Sequence, residues 1–489
     1  MKFIICLVLF LFSPVLNILI ISQNVGVGTI TPTEKLDVEG NLKADTIKPN
    51  AVLFAPNAGV GKILTSDGIG NATWENMMLP PPQNNTGNVG YGVWGDCATN
   101  GNITDYHPVA DTAGVAGDFF GNSVSISGDF AIVGSLTDDE TYINQGSVTI
   151  YKFNNGHWEW MQKITDPDGS ANDKFGTSVS ISGYYAIVGA DFDDGPGGND
   201  QGSASIFGFN GTNWVLVGKI IDPLGDGDDH FGFSVSISGN YAIVGAMRDN
   251  GPGGNDQGSA SIFEFNGTNW VLMQTITDAT GASDDLFGCS VSISGIYAIV
   301  GAYGDDAPGL TTDQGSASIF QYNGTNWILM QRITDATGMS YDNFGWSVAI
   351  SGNYAIVAAE NDDVGNNENQ GSASIFQYNG TNWVMIKKIT DGNGAAYDYF
   401  GISVSISGNY VIVGASWDDV GNIQNQGSAS IYQRVGMAWQ RLQYVTDPGG
   451  EKDDYFGNST SIDGTNKRFL IGMANFSGGL GKAVFGKMN

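Results

Sequence analysis

Along most of the chain, apolar residues alternate with serine or threonine at period two, or gather in runs of four to six between glycine-rich turns. In "SVSISG" (290–295), Val291 and Ile293 alternate with serine. The run "YAIVGA" (297–302) follows, "GSASIFQYNG" (315–324) alternates again, and "NWILMQRIT" (326–334) completes the unit. A period of two predicts strands, and the short uninterrupted run predicts a strand buried on both faces. The sequence "NGTN" at 210, 266, 323 and 379 predicts a tight primed hairpin between the third and fourth strands, and Ser-Gly-Asn or a relative joins the first two. Each unit reads as a four-stranded meander.

The unit recurs. Phe-Gly pairs stand at Phe120, Phe175, Phe231, Phe287, Phe344, Phe400 and Phe456, and each is followed two positions later by a serine (Ser123, Ser178, Ser234, Ser290, Ser347, Ser403, Ser459). Seven copies of four strands, with no helical pattern between them, predict a seven-bladed β-propeller of four-stranded antiparallel blades. The last copy stops at "GKAVFGKMN" (481–489), one strand short. Counting back from Phe120 by the distance that separates Trp270 from Phe287 lands on Ile103. Residues 103–110 are therefore predicted to return as the outer strand of the last blade and to close the ring. Seven equivalent serines argue for a hydrogen-bonding role and against a nucleophile. The repeated Phe predicts packing between blades.

Units such as "FGFSVSISGNYAIVGA" followed by "QGSASIFEF" resemble FG-GAP repeats of the integrin alpha-chain propeller type, over residues 103–489. The resemblance implies that ligands bind on the face formed by the loops between strands two and three and between blades. It also implies calcium loops of the DxDxDG kind between strands one and two. Here that turn is Ser238, Gly239, Asn240 or similar, and "SIDGTN" keeps only Asp463, so those ligands do not carry over.

Ahead of the repeats, residues 1–23 hold one lysine and a long apolar run, the pattern of a secretory signal; an uncleaved anchor is the alternative. Residues 24–78 resemble the start of bacterial surface and fibre-type proteins, which implies a short β-rich stalk and a route to oligomers. Residues 79–102, with "LPPPQNNTG", read as a stiff Pro/Gly/Asn spacer or a disordered linker. No second apolar run of spanning length occurs, so no membrane span is expected once the signal is removed.

A net charge of −30, with only 20 Lys and Arg, excludes nucleic acid as a partner, because phosphate binding needs clustered cations. Three cysteines (Cys6, Cys97, Cys289) cannot form a disulfide framework. The acids gather in the loops of one predicted face. Asp193, Asp194, Asp305, Asp306, Asp362, Asp363, Asp418 and Asp419 lie between strands two and three, and with Trp346 and Trp417 they are the candidate ligand contacts. Asp166, Asp168 and Asp173 in "DPDGSAND" are the candidate ligands for weakly held calcium, a hard cation that takes carboxylate and carbonyl oxygens. Solubility is the competing explanation for the acids. The three histidines (His107, His157, His230) sit in different units at unrelated positions, and no metalloprotease, CxxC or phosphate-loop motif occurs. The expectation is an exported, non-enzymatic binding or adhesion module that takes an extracellular protein or glycan. A glycan hydrolase or lyase using two carboxylates is the alternative, as is a structural surface protein with no dedicated ligand.

Overall fold

A computed structural model describes residues 104–111, 114–306 and 312–488, together with four short strands nearer the N-terminus. The chain divides into two compact units, residues 1–90 and 91–489. In the first, Val25–Val27 pairs in parallel with Leu36–Val38, and Lys62–Ser66 pairs antiparallel with Ala72–Asn76. The signal segment and the 79–102 spacer lie outside the described residues.

The second unit is a seven-bladed propeller of four-stranded antiparallel sheets. Blade three shows the pattern, with strands Phe231–Ser238, Tyr241–Ala246, Ser259–Phe265 and Trp270–Ile276 joined in sequence order. The second strand, an unbroken apolar run, is buried almost throughout, whereas the fourth alternates inward Trp270 and Ile276 with exposed positions. The first strands of successive blades contact one another all the way round, so they form the inner wall of the ring.

All seven repeat phenylalanines are buried. Phe287 packs with Ile243, Ile262 and Ile276 of blade three and with Val291 and Val300 of blade four, so it fills the seam between them. Its backbone also bridges Gly258 of the preceding blade in parallel fashion. A Cβ on Gly258 would stand 2.0 Å from the Phe287 carbonyl oxygen, so only glycine lets the two chains approach this closely.

The serines after Phe-Gly bond across seams. Ser123, Ser178, Ser234, Ser403 and Ser459 donate to the carbonyls of Gly176, Gly232, Gly288, Gly457 and Gly121 in the next blade. Ser290 and Ser347 instead accept from the amides of Val348 and Val404. The tight hairpin is present between strands three and four. In the Asn-Gly hairpins only the glycine is left-handed (Gly211, φ +100), and the Asn210 side-chain oxygen accepts the amides of Thr212 and Asn213. The Asn side chain thus caps a turn whose left-handed residue is the glycine alone.

Closure follows the predicted route. Thr104–Val109 pairs antiparallel with Lys482–Lys487 as the fourth strand of blade seven, beside Ser459–Asp463 and Arg468–Met473. Phe120 bridges Gly481 just as Phe287 bridges Gly258, so the closing seam repeats the chemistry of the others.

Candidate functional site

The blade-to-blade loops obey one spacing, D-x-x-G-x-x-x-D, in all seven copies: Asp111/Asp118, Asp166/Asp173, Asp222/Asp229, Asp278/Asp285, Asp335/Asp342, Asp391/Asp398 and Asp447/Asp454. The last Asp of each accepts the amide three residues before it, from Val115, Ser170, Asp226, Ala282, Met339, Ala395 and Glu451 in turn. In six copies the first Asp accepts the amide two residues on, as Asp166 does from Asp168 at 3.1 Å. These carboxylates fold the loop around themselves, and Asp166 and Asp173 are only 2% and 1% exposed.

The loops between strands two and three behave alike. Their first acid (Asp193, Asp305, Asp362, Asp418) is buried, and their second (Asp194, Asp306, Asp363, Asp419) is exposed but accepts a backbone amide from Asp200, Asp313, Asn369 and Asn425 respectively. A basic side chain from the fourth strand neutralises the buried pair. Lys219 lies 2.9 Å from Asp166 and 2.7 Å from Asp193. Lys388 stands 2.7 Å from Asp335 and 2.6 Å from Asp362. Lys163 joins Asp111 and Asp138, and Arg332 joins Asp278 and Asp305. In blade six the Tyr444 hydroxyl donates to Asp418 at 2.6 Å while Arg441 takes Asp391. The chain's own ammonium therefore takes Asp166, one of the three acids to which the sequence assigned calcium, and joins it to Asp193, while Asp173 is turned onto the Ser170 amide and Asp168 is exposed. Among the described residues no group of three or more His, Cys, Asp or Glu is placed to hold a metal ion.

Blade three breaks this rule. Thr275 stands at the cation's position, and Asp222, Asp226, Asp229 and Asp249 share the region. Burial above all, then Asp249, Asp226 and Asp222, push the Asp229 carboxyl up to about 7.

With the acids engaged in the fold, the aromatic residues of the loop face stand out. Trp417, 42% exposed, lies between Tyr399 (5.6 Å between ring centroids) and Tyr455 (5.0 Å). Trp346, half-buried, lies 4.9 Å from Tyr303. Tyr399 and Tyr455 immediately precede their Phe-Gly pairs and take a left-handed backbone (φ +53 and +58), as do Phe119, Lys174, His230, Leu286 and Asn343 at the same position. The backbone presents one side chain per blade there, and only blades six and seven make it tyrosine. In blade two the position of Trp417 is held by Phe192, flanked by Lys174 and His230. The structure thus brings Trp417 into an aromatic group that sequence reading had left as a single residue. The signal was available, since each partner is the residue before a Phe-Gly pair. His230 is buried, with Nδ1 3.7 Å from Asp191, and is remote in sequence from His107 and His157.

A family model described as the FG-GAP repeat matches residues 110–151, 158–207, 214–263, 270–320, 327–376 and 383–432, more than half of the chain. From the second onward, each match starts at the Trp of one blade's fourth strand and ends in the third strand of the next, so the sequence repeat straddles a seam. The last match stops at Tyr432, and blade seven lies beyond it. No curated protein matches the chain.

Proposed function

We propose that this chain, which belongs to the FG-GAP repeat family, is an exported binding module that holds a glycan or protein on the loop face of its propeller, at the aromatic residues of blades four to seven. The observation that carries the reading is the group Tyr399, Trp417 and Tyr455, an exposed indole set edge-on and tilted between two half-buried tyrosines, which interrupts the repeat on an otherwise repetitive face. An exposed indole held by neighbouring rings offers contact area at small entropic cost, which suits sugar faces and apolar side chains alike. The apolar segment 1–23 supports export. The ordered acids are assigned to the fold and not to the ligand, apart from Asp419 beside Trp417, which is exposed.

The test is a glycan and protein array probed with the mature chain and with Trp417→Ala. A ligand retained by the wild type and lost by the variant, with the melting temperature unchanged, supports the reading. A ligand held equally by both removes the aromatic group from the site.

A further inference from the structure

Six of the seven blades bring a donor of their own to the acids of the loop face. Lys163, Lys219, Arg332 and Lys388 stand at one position of the fourth strand, and each meets the first acid of the blade-to-blade loop and the first acid between strands two and three. Tyr444 holds that position in blade six, and Tyr106 and Lys482 serve Asp447 in blade seven. In blade three the position is the exposed Thr275, whose hydroxyl lies 2.8 Å from Ser261 Oγ and so stays within its own sheet. Among the described residues no cation pairs with Asp222, Asp229 or Asp249, the acids that correspond to Asp166, Asp173 and Asp193 of blade two.

These three carboxylates face one place. Asp222 accepts the Leu224 amide on Oδ1 at 2.8 Å, and Asp229 accepts the Asp226 amide on Oδ2 at 2.6 Å. Asp229 is 1% exposed, and its Oδ1 has no hydrogen-bond partner; among the seven closing aspartates it alone leaves a buried oxygen in that state. A buried acceptor without a donor is costly, and a donor brought to it recovers that cost. In blade two, burial and the Ser170 amide act first on the Asp173 carboxyl, followed by Asp193, Lys219 and Asp166, so the closing aspartate stands against the ammonium. For Asp229 the sequence is burial, the Asp226 amide, then Asp249, Asp226 and Asp222, with no cation among them. Burial, and then Asp222 and Asp226, raise the half-buried Asp249 as well.

We propose that blade three binds a primary ammonium group from outside the chain, held by Asp222, Asp249 and the orphaned Asp229 Oδ1 at the place where its neighbours put their own. The repeat identifies the chemistry of the occupant, since the same pair of acids takes a lysine ammonium in blades one, two and five. An ammonium has three N–H donors, one for each carboxylate. Calcium takes about six to eight oxygens, and among the described residues no group of three or more acids is placed to hold a metal ion. Access follows the path of the missing stem. The Lys219 side chain is 25% exposed in blade two, and in blade three the shorter Thr275 leaves that approach open to solvent. The ammonium comes from a partner's lysine side chain or from a free amine, and its site is separate from the Trp417 group of blades six and seven.

The experiment supplies the missing group in two ways, as a solute and as a side chain. Butylammonium, tetramethylammonium and calcium chlorides are titrated into the full chain, into Thr275→Lys and into Asp249→Asn at constant ionic strength, and binding is followed by calorimetry and by the melting temperature. The expected result is a rise in melting temperature with butylammonium at about 10 to 100 mM and none with tetramethylammonium, which has no N–H to donate. The response is lost in Thr275→Lys, whose own ammonium occupies the place, and the affinity falls about tenfold in Asp249→Asn. No response to butylammonium at about 100 mM, an equal response to tetramethylammonium, or an undiminished one in Thr275→Lys overturns the site. Calcium acting at lower concentration than butylammonium, and lost in the same variant, overturns the ammonium and makes this a metal site. A blocked lysine, N-acetyl-lysine methylamide, bound more tightly than butylammonium supports a partner's side chain as the source, and the reverse order supports a free amine. If Thr275→Lys fails to fold, Asp249→Asn alone decides, because a carboxylate that holds the ammonium must weaken butylammonium when its charge is removed.

Discussion

The Tyr106 hydroxyl donates to Asp447 Oδ1 at 2.5 Å and so joins two residues 341 positions apart in the chain. Asp447 also takes Lys482 at 2.6 Å, so one buried carboxylate ties the loop leaving blade six to both outer strands of blade seven. Burial and this carboxylate push the tyrosine's pKa up, which keeps the hydroxyl a donor throughout the usual pH range. Removing residues up to 111 should expose an edge strand and lower stability by several kcal/mol, roughly the upper end of single-site losses or beyond. Tyr106→Phe should cost about 1 to 3 kcal/mol, because it leaves Asp447 one partner short. Urea unfolding of the three chains measures both, and a chain beginning at residue 112 that unfolds like the full one contradicts the clasp.

Phe287→Ala empties a seam in which the ring is fully buried. The expected loss is about 3 to 5 kcal/mol, read as a shift in the urea midpoint at constant slope. A loss under about 1 kcal/mol would mean that the blades close over the gap.

Lys219→Met leaves Asp166 and Asp193 facing each other without a cation. Breaking a largely buried pair on one side costs about 3 kcal/mol. Asp166→Asn should destabilise as well, by the same amount with and without millimolar calcium, because Lys219 and not a metal holds that oxygen. A calcium-dependent rise in melting temperature that Asp166→Asn removes would reverse this assignment.

Stability should increase on mild acidification. Burial is the main reason that the closing carboxyls are raised from 3.8, to about 6 for Asp173, Asp285 and Asp342 and to about 7 for Asp229 and Asp398. In that window the folded chain holds more protons than the unfolded chain, so folding tightens as pH falls toward 4 and the gain is lost as pH rises through 6 to 7. Asp335 acts in the opposite sense below this range: burial opposes ionisation, but Lys388 and Thr337 hold it under 3.8, and its contribution disappears at lower pH. Melting curves between pH 8 and pH 4, roughly the span of these shifts, should rise toward the acid side before they fall.

Thr275→Lys gives blade three the cation that its neighbours have. It should raise the melting temperature, by roughly 1 kcal/mol of stability at neutral pH, and flatten the acid gain, since Asp229 would then ionise more readily. An unchanged pH profile in this variant would show that Asp222 and Asp249 lie too far from the new ammonium.

Most of the fold was readable because period-two alternation and a fixed Phe-Gly interval both survive without an alignment. The clasp was readable too, since the Trp-to-Phe interval marks where a fourth strand must lie. The inward turn of the acids was not legible, for a physical reason. Charge in a turn suggests solvent, whereas Asp166 and Asp173 turn inward because the loop's own amides and Lys219 satisfy them. The constant spacing of these pairs was the visible clue that they serve the loop. Trp346 and Trp417 were legible as aromatic candidates of the loop face, but not the tyrosines around Trp417, which come from two different blades.

Because the close approach of Gly481 to Phe120 repeats that of a glycine to the repeat phenylalanine at the other six seams, the propeller has no first or last seam in the sense that a stacked solenoid has end repeats. An open array can fray from its ends one module at a time. A closed ring gives each blade two neighbours, so the first blade to open must break both of its seams at once. Each 56-residue unit straddles a seam rather than filling a blade, and a gain or loss of one unit by duplication would preserve every local contact while changing the curvature that all of them share. The blade count is thus a property of the whole circle, under selection as a single number and not as seven separate modules.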